Sequence, residues 1–156
     1  MKIRRAEIKD SDRINELLFQ VAEIHANGRP DIFKTATKKY SDQELIEIIG
    51  NDDSPIFVAT DENDYVLGYA FCVFEITKDN LLLQDRKTLY IDDICIDESH
   101  RGKHIGKMLY DYVLCFAKEN EFDNITLNVW AFNEGACKFY ENCGMTPLKI
   151  TMEKSL

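Results

Sequence analysis

Residues 101–107, RGKHIGK, gather Arg101, Lys103 and Lys107 around Gly102 and Gly106, directly ahead of a helical pattern. A strand, a tight basic turn and a helix in that order leave the backbone amides from Gly102 through Lys103, His104, Ile105 and Gly106 to Lys107 without intrahelical acceptors. The positive end of the helix then favours a phosphate or pyrophosphate. The plainer alternative is a pair of turn and packing glycines beneath solvated cations. Two nucleotide loops are excluded by spacing. Gly-x-Gly-x-x-Gly is absent, and Gly-x-x-x-x-Gly-Lys-Ser/Thr fails because Gly102 and Gly106 stand one residue too close and Met108 replaces the hydroxyl. His100 and His104 lie beside Asp97 and Glu98, but in a turn, with neither His-Glu-x-x-His nor paired cysteines, so no metal is expected.

The elements that must position this turn belong to a chain of 156 residues, a length that suits a single domain over 1–156. With 45% apolar and 30% charged residues it reads as globular, neither disordered nor fibrous. The start, MKIRRAEIKD, is basic and polar, and no run of about 18 apolar residues follows, so a cytoplasmic chain with no membrane partner is expected. Cys72, Cys95, Cys115, Cys137 and Cys143 form no Cys-x-x-Cys pair and read as small buried thiols in a reducing compartment. A net charge of −9 argues against a nucleic-acid partner and is compatible with a cationic substrate.

Residues 2–8 read as a first strand, and Ile14, Leu17, Leu18, Val21 and Ala22 follow at helical spacing after Asp10 or Ser11. HANGRPDIFKTATKKY reads as a loop, and Ser41 with Glu44 makes a capping box for a short helix that ends near Gly50. PIFVAT and VLGYAFCVFEI pair about DENDY as a hairpin, and TLYIDDICI is a further strand. After the basic turn comes a helix with Met108, Leu109, Tyr112, Val113, Phe116 and Ala117 on its apolar face; NITLNVW, NEGACKFYENCG and PLKITME read as strand, helix and strand. The order β-α-α-β-β-β-α-β-α-β gives an α+β domain, a mixed sheet with helices on both faces.

Two linked stretches, IDDICIDESHRGKHIGKMLYDYVLCFAKE and LNVWAFNEGACKFYENCGM, resemble the main cofactor motif and the next motif of the GNAT superfamily of N-acetyltransferases. Arg101 and Gly106 match the first motif, whereas His104 stands where its middle glycine would be, so His104 must take a glycine-like backbone. The resemblance implies a GNAT-like twisted, mostly antiparallel sheet. It also implies acetyl-CoA as cosubstrate, with its pyrophosphate on the amides of Arg101 to Lys107 and its pantetheine along Ile94, Cys95 and Ile96. The amide of Ile94 or Cys95 would then polarise the thioester. Asn133 would touch the pantetheine or cap the following helix, and Tyr140 would protonate the leaving thiolate.

For the base, the chain offers Asp92, Asp93 and Glu75. Strict strand alternation sends Asp92 and Asp93 to opposite faces, and by register IDDICI resembles the strand of diamine acetyltransferases whose first acid lies near the amine, which favours Asp92. His25, Arg29, Asp31 and Phe33 would line the acceptor side. The expected acceptor is a primary amine of a small cationic molecule or of a protein. The alternative is a non-catalytic acyl-CoA sensor, for which the histidine at position 104 is the sole sequence argument. Homodimers are common in such a family, but no residue here marks an interface.

Overall fold

The computed structural model describes residues 1–156. In chain order it forms β1 (Lys2–Arg5), α1 (Ser11–Gly28), α2 (Asp42–Ile49), β2 (Ile56–Thr60), β3 (Val66–Thr77), β4 (Arg86–Ile96), α3 (Ile105–Glu119), β5 (Asn124–Leu127) and α4 (Glu134–Asn142). The sheet runs β1-β2-β3-β4-β5, antiparallel as far as β4, with β5 parallel to β4. Alternation along β2 splits it between two cores. Ile56 and Val58 join Ile14, Leu17, Leu18 and Leu45 beneath α1 and α2, whereas Phe57 and Ala59 join Leu109, Val113 and Ala117 beneath α3. Each of these large side chains that is wholly withdrawn from water contributes about 2 kcal/mol.

The capping box forms as expected: Ser41 Oγ accepts from the Glu44 amide at 3.3 Å, and the Glu44 carboxylate accepts from the Ser41 amide at 2.7 Å. Helix α1 runs on to Gly28, so His25 is helical and not part of the loop. The extension is held by packing that outweighs the weak propensity of Asn27 and Gly28. Ala26 is buried, and Gly28 lies so close to Phe132 that a Cβ there would stand 2.1 Å from its ring. On α3 the buried stripe is Ile105, Leu109, Tyr110, Val113 and Ala117, with Met108 and Tyr112 exposed. The stripe is rotated because Tyr110 turns to meet Phe139 of α4, ring centroids 6.4 Å apart.

The expected last strand is absent. Leu148, Ile150 and Met152 keep the alternating pattern but lie exposed, and β5 ends after four residues, so the segment has no ladder to complete. The element order is therefore β-α-α-β-β-β-α-β-α. Of the cysteines, Cys72 and Cys95 are buried, as expected, but Cys115 is exposed, off the buried stripe of α3, and Cys137 and Cys143 are half-buried, Cys143 at the margin of the α3-side core.

One irregularity decides where the acids point. Asp93 pairs with Phe71 and Ile91 with Cys72, so Asp92 is an extra residue, a β-bulge in β4. Side-chain parity reverses there. Leu89 and Ile91 enter the α3-side core, while Cys95 enters the α1-side core.

Candidate active site

The basic turn gathers backbone amides that have no protein partner. None of the amides from Gly102 to Lys107 donates to any protein acceptor, and together they face the start of the 15-residue helix α3. Gly102 sits at φ 77° with nothing within 4 Å of where a Cβ would be, so the mouth is open. His104 takes the left-handed region, φ 61° and ψ 11°, as the residue capping α3. That is the glycine-like geometry expected of it. Arg101 leans on the Ile96 carbonyl at 3.3 Å, and Lys107 pairs with Asp111 one turn on. Donors of this number and polarity fit a pyrophosphate.

Substitutions at His104 test the backbone requirement. His104→Gly keeps acetyl-CoA binding, while the β-branched His104→Val costs about 1–2 kcal/mol and weakens binding. Thermal melts and calorimetric titration of the two variants check this.

Beyond the Ile91–Leu127 pair, β5 no longer follows β4. The edge of β4 from Asp92 to Ile96, which includes Ile94 and Cys95, is thus open on that side while β3 covers the other. Because of the bulge, both acids of β4 project to the α1 side, not to opposite faces as alternation predicts. Asp92 accepts from Lys39 Nζ at 2.6 Å and from the Tyr40 hydroxyl, and Asp93 accepts from the Tyr69 hydroxyl at 2.8 Å. The Tyr40 ring stacks on Phe71 at 5.5 Å, which fixes this arrangement. Burial pushes the Asp93 carboxyl up to about 6, against the opposing pull of the Tyr69 hydrogen bond and the Lys39 charge. Glu75 is left out: it lies exposed opposite Thr88, near the far end of the β3–β4 ladder.

Helix α4 brings Tyr140 to the same region. Its start is held by Asn133, whose Oδ1 accepts from the Ala136 amide at 3.1 Å, so Asn133 is seen here as the helix cap. The Tyr140 hydroxyl has no protein hydrogen-bond partner, unlike those of Tyr40 and Tyr69. Burial and the nearby negative charge of Asp93 raise its pKa, so the phenol keeps its proton at neutral pH.

The acceptor-side residues divide. His25 stacks on Phe33 at 5.0 Å, Phe33 meets Trp130 edge-on at 5.1 Å, and Trp130 stacks on Phe132 at 6.2 Å. Burial, and then the Lys39 charge, lower the His25 pKa, keeping it neutral at pH 7. Arg29 instead grips Asp31 with two hydrogen bonds of 2.8 and 2.7 Å and Glu153 with a third of 3.0 Å, so these charges tie the connector down. Sequence reasoning missed Lys39, Tyr40, Tyr69 and Trp130. The adjoining Lys39 and Tyr40 just ahead of the capping box were the available signal, but nothing local says that a strand bulge faces them.

The chain matches the acetyltransferase (GNAT) family over residues 19–145 and belongs to it: it is an acyltransferase of a family that uses acetyl-CoA as cosubstrate. It is 27% identical over 154 residues to glucosamine 6-phosphate N-acetyltransferase of Arabidopsis thaliana, covering 98% of this chain and 95% of that one. The crystal structure of that plant enzyme superposes with a TM-score of 0.70, covering 99% of this chain and 97% of the other. A mutant of the BH1408 protein of Bacillus halodurans superposes with a TM-score of 0.96 at 33% identity, covering 100% and 99% of the two chains.

Proposed function

We propose that the chain transfers an acetyl group to a primary amine of a small cationic acceptor, by direct attack within a ternary complex. Acetyl-CoA supplies the activated acetyl thioester. The amides of Gly102 to Lys107, with Arg101, Lys103 and Lys107, hold its pyrophosphate, and the open edge Ile94–Ile96 receives its pantetheine. Asp92 meets the acceptor ammonium, Asp93 takes the proton that the amine must lose, and the amide of Ile94 or Cys95 steadies the developing oxyanion. Tyr140 returns a proton to the departing thiolate.

The observation that carries this reading is the carboxylate pair at the bulge, set beside an open strand edge and a tyrosine hydroxyl with no partner. The plant relative acts on an amino sugar phosphate, which also presents a primary amine. A cationic acceptor is favoured here because the cations on the acceptor side, Lys39 and Arg29, are already matched by carboxylates. The test is calorimetric titration with acetyl-CoA against ATP and NADPH, followed by a thiol-release screen of polyamines, amino sugars, glucosamine 6-phosphate and an N-terminal peptide. Selective acetyl-CoA binding with turnover on a cationic amine supports the reading. Turnover confined to glucosamine 6-phosphate would replace the acceptor class, and no turnover with any amine would overturn the reading.

The wall formed by His25, Phe33 and the Arg29–Asp31 connector sets acceptor choice. Exchanging residues 29–37 for the corresponding segment of another such enzyme is expected to change the preferred amine and leave acetyl-CoA affinity unaltered, as read by the same titration and screen.

A further inference from the structure

Lys39 is a half-exposed lysine on the segment between α1 and α2, and its ammonium is held at the candidate site. Its Nζ lies 2.6 Å from Asp92 Oδ1 and 3.4 Å from the Asp92 carbonyl, and it contributes favourably to the charge of Asp93. It therefore stands at the carboxylate pair where the acceptor amine is placed in the proposed reaction. Ile94, at the open strand edge, is two residues further on, about 7 Å along β4, within the swing of a lysine side chain.

The adjacent lysine supplies an internal comparison. Lys38 turns the other way, with Nζ 2.5 Å from Asn15 Oδ1 and paired with Asp42 on the surface between α1 and α2. The two amines share sequence context but not surroundings, the Lys38 side chain being 16% exposed and that of Lys39 46%.

We infer that Lys39 is itself an acetyl acceptor, so that the protein modifies its own Nζ when acetyl-CoA is present and no external amine competes. This rests on the acetyltransferase reading of the site. The Lys39 ammonium first gives a proton to the carboxylate pair, the neutral Nζ forms a bond to the acetyl carbonyl carbon, and the thioester C–S bond breaks. The second amine proton is lost to the pair or to solvent as the amide forms, and the thiolate leaves as CoA thiol after taking a proton from Tyr140. Nothing is oxidised or reduced. The product is a neutral amide at position 39, which cannot form the ion pair with Asp92, so modification releases that carboxylate and leaves the Tyr40 hydroxyl as its remaining partner.

The experiment incubates the full chain with isotopically labelled acetyl-CoA and no amine, then denatures it and reads the mass of the intact chain and of its peptides. The expected result is one acetyl group per chain on Lys39, with occupancy at least about tenfold above Lys38 and Lys34, because proximity and not bare thioester reactivity sets the rate. The label should be suppressed by excess CoA and slowed by Asp93→Asn, and Lys39→Arg should lose it while still binding acetyl-CoA by calorimetry. Label spread evenly over Lys34, Lys38 and Lys39, or an unlabelled chain that binds acetyl-CoA and acetylates an external amine, overturns this inference alone. Failure to bind acetyl-CoA overturns it together with the reading of the site.

Discussion

Tyr140→Phe is expected to lower kcat by about 10²–10⁴-fold, the range for loss of a positioned proton donor, with acetyl-CoA affinity unchanged. The variant removes one oxygen. The ring keeps its contact with Phe139, 5.2 Å away between centroids, and the hydroxyl has no protein partner whose loss would destabilise the fold. Burial and the negative charge of Asp93 both hold the phenol in its protonated form, so the group is a donor across the working pH range and contributes no ionisation of its own to the profile near neutrality. Steady-state thiol release and calorimetry on the same preparation separate the two effects. An unchanged kcat would remove Tyr140 from the reaction.

Asp93→Asn is expected to reduce kcat/KM by about 10²–10⁴-fold and to make the protein more stable at neutral pH. The wild-type kcat/KM should rise with pH through a midpoint near 6, where burial has set the Asp93 carboxyl, and the variant should lose that limb. The stability effect follows from the same shift, with its sign opposite to that of an ordinary ion-paired aspartate. Below about pH 3 the carboxyl is protonated in folded and unfolded chains alike. Between its ordinary value of 3.8 and about 6 the unfolded chain ionises while the folded chain keeps the proton, so the contribution to stability falls as pH rises and then levels off. A difference of about two pH units is worth about 3 kcal/mol at pH 7. Asparagine carries no charge and can still accept from the Tyr69 hydroxyl, so Asp93→Asn should recover much of that stability. Chemical denaturation at pH 4 and pH 7 measures it: the variant should gain at pH 7 and differ little at pH 4. A variant that is inactive and less stable at both pH values would mean that Asp93 serves the fold and not the reaction.

These two residues were legible in different degrees. Tyr140 was named through the resemblance to the family's second motif, and local pattern added its face, because a short amphipathic helix with Asn133 at its start and Gly144 at its end fixes which residues lie together. The free amides of the basic turn were legible locally, since glycine spacing and a helix start determine where they collect, whereas the positive φ of His104 was expected from the resemblance. The Ser41–Glu44 box is equally local. Asp93 was named as a candidate, but its partnership with Asp92 on one face was not legible, since perfect alternation separates them. The bulge exists only because β3 and β4 pair out of step at Phe71 and Cys72.

The pattern holds over the whole chain. Interactions between residues a few positions apart depend on backbone geometry that any chain with those residues adopts, so caps, turns and helix faces, and with them the free amides of the basic turn, were written in the order of amino acids. Whether a periodic segment gains a partner depends on what folds beside it. PLKITME has the alternation of a strand and no ladder to join, and His25 is helical because Phe132, far along the chain, packs at the end of α1. The placement of Lys39 and Tyr40 on Asp92 is of that second kind. It joins residues 52 and 53 positions apart, and the charge environment of the candidate site, set by burial and by those distant partners, was decided by the tertiary structure alone.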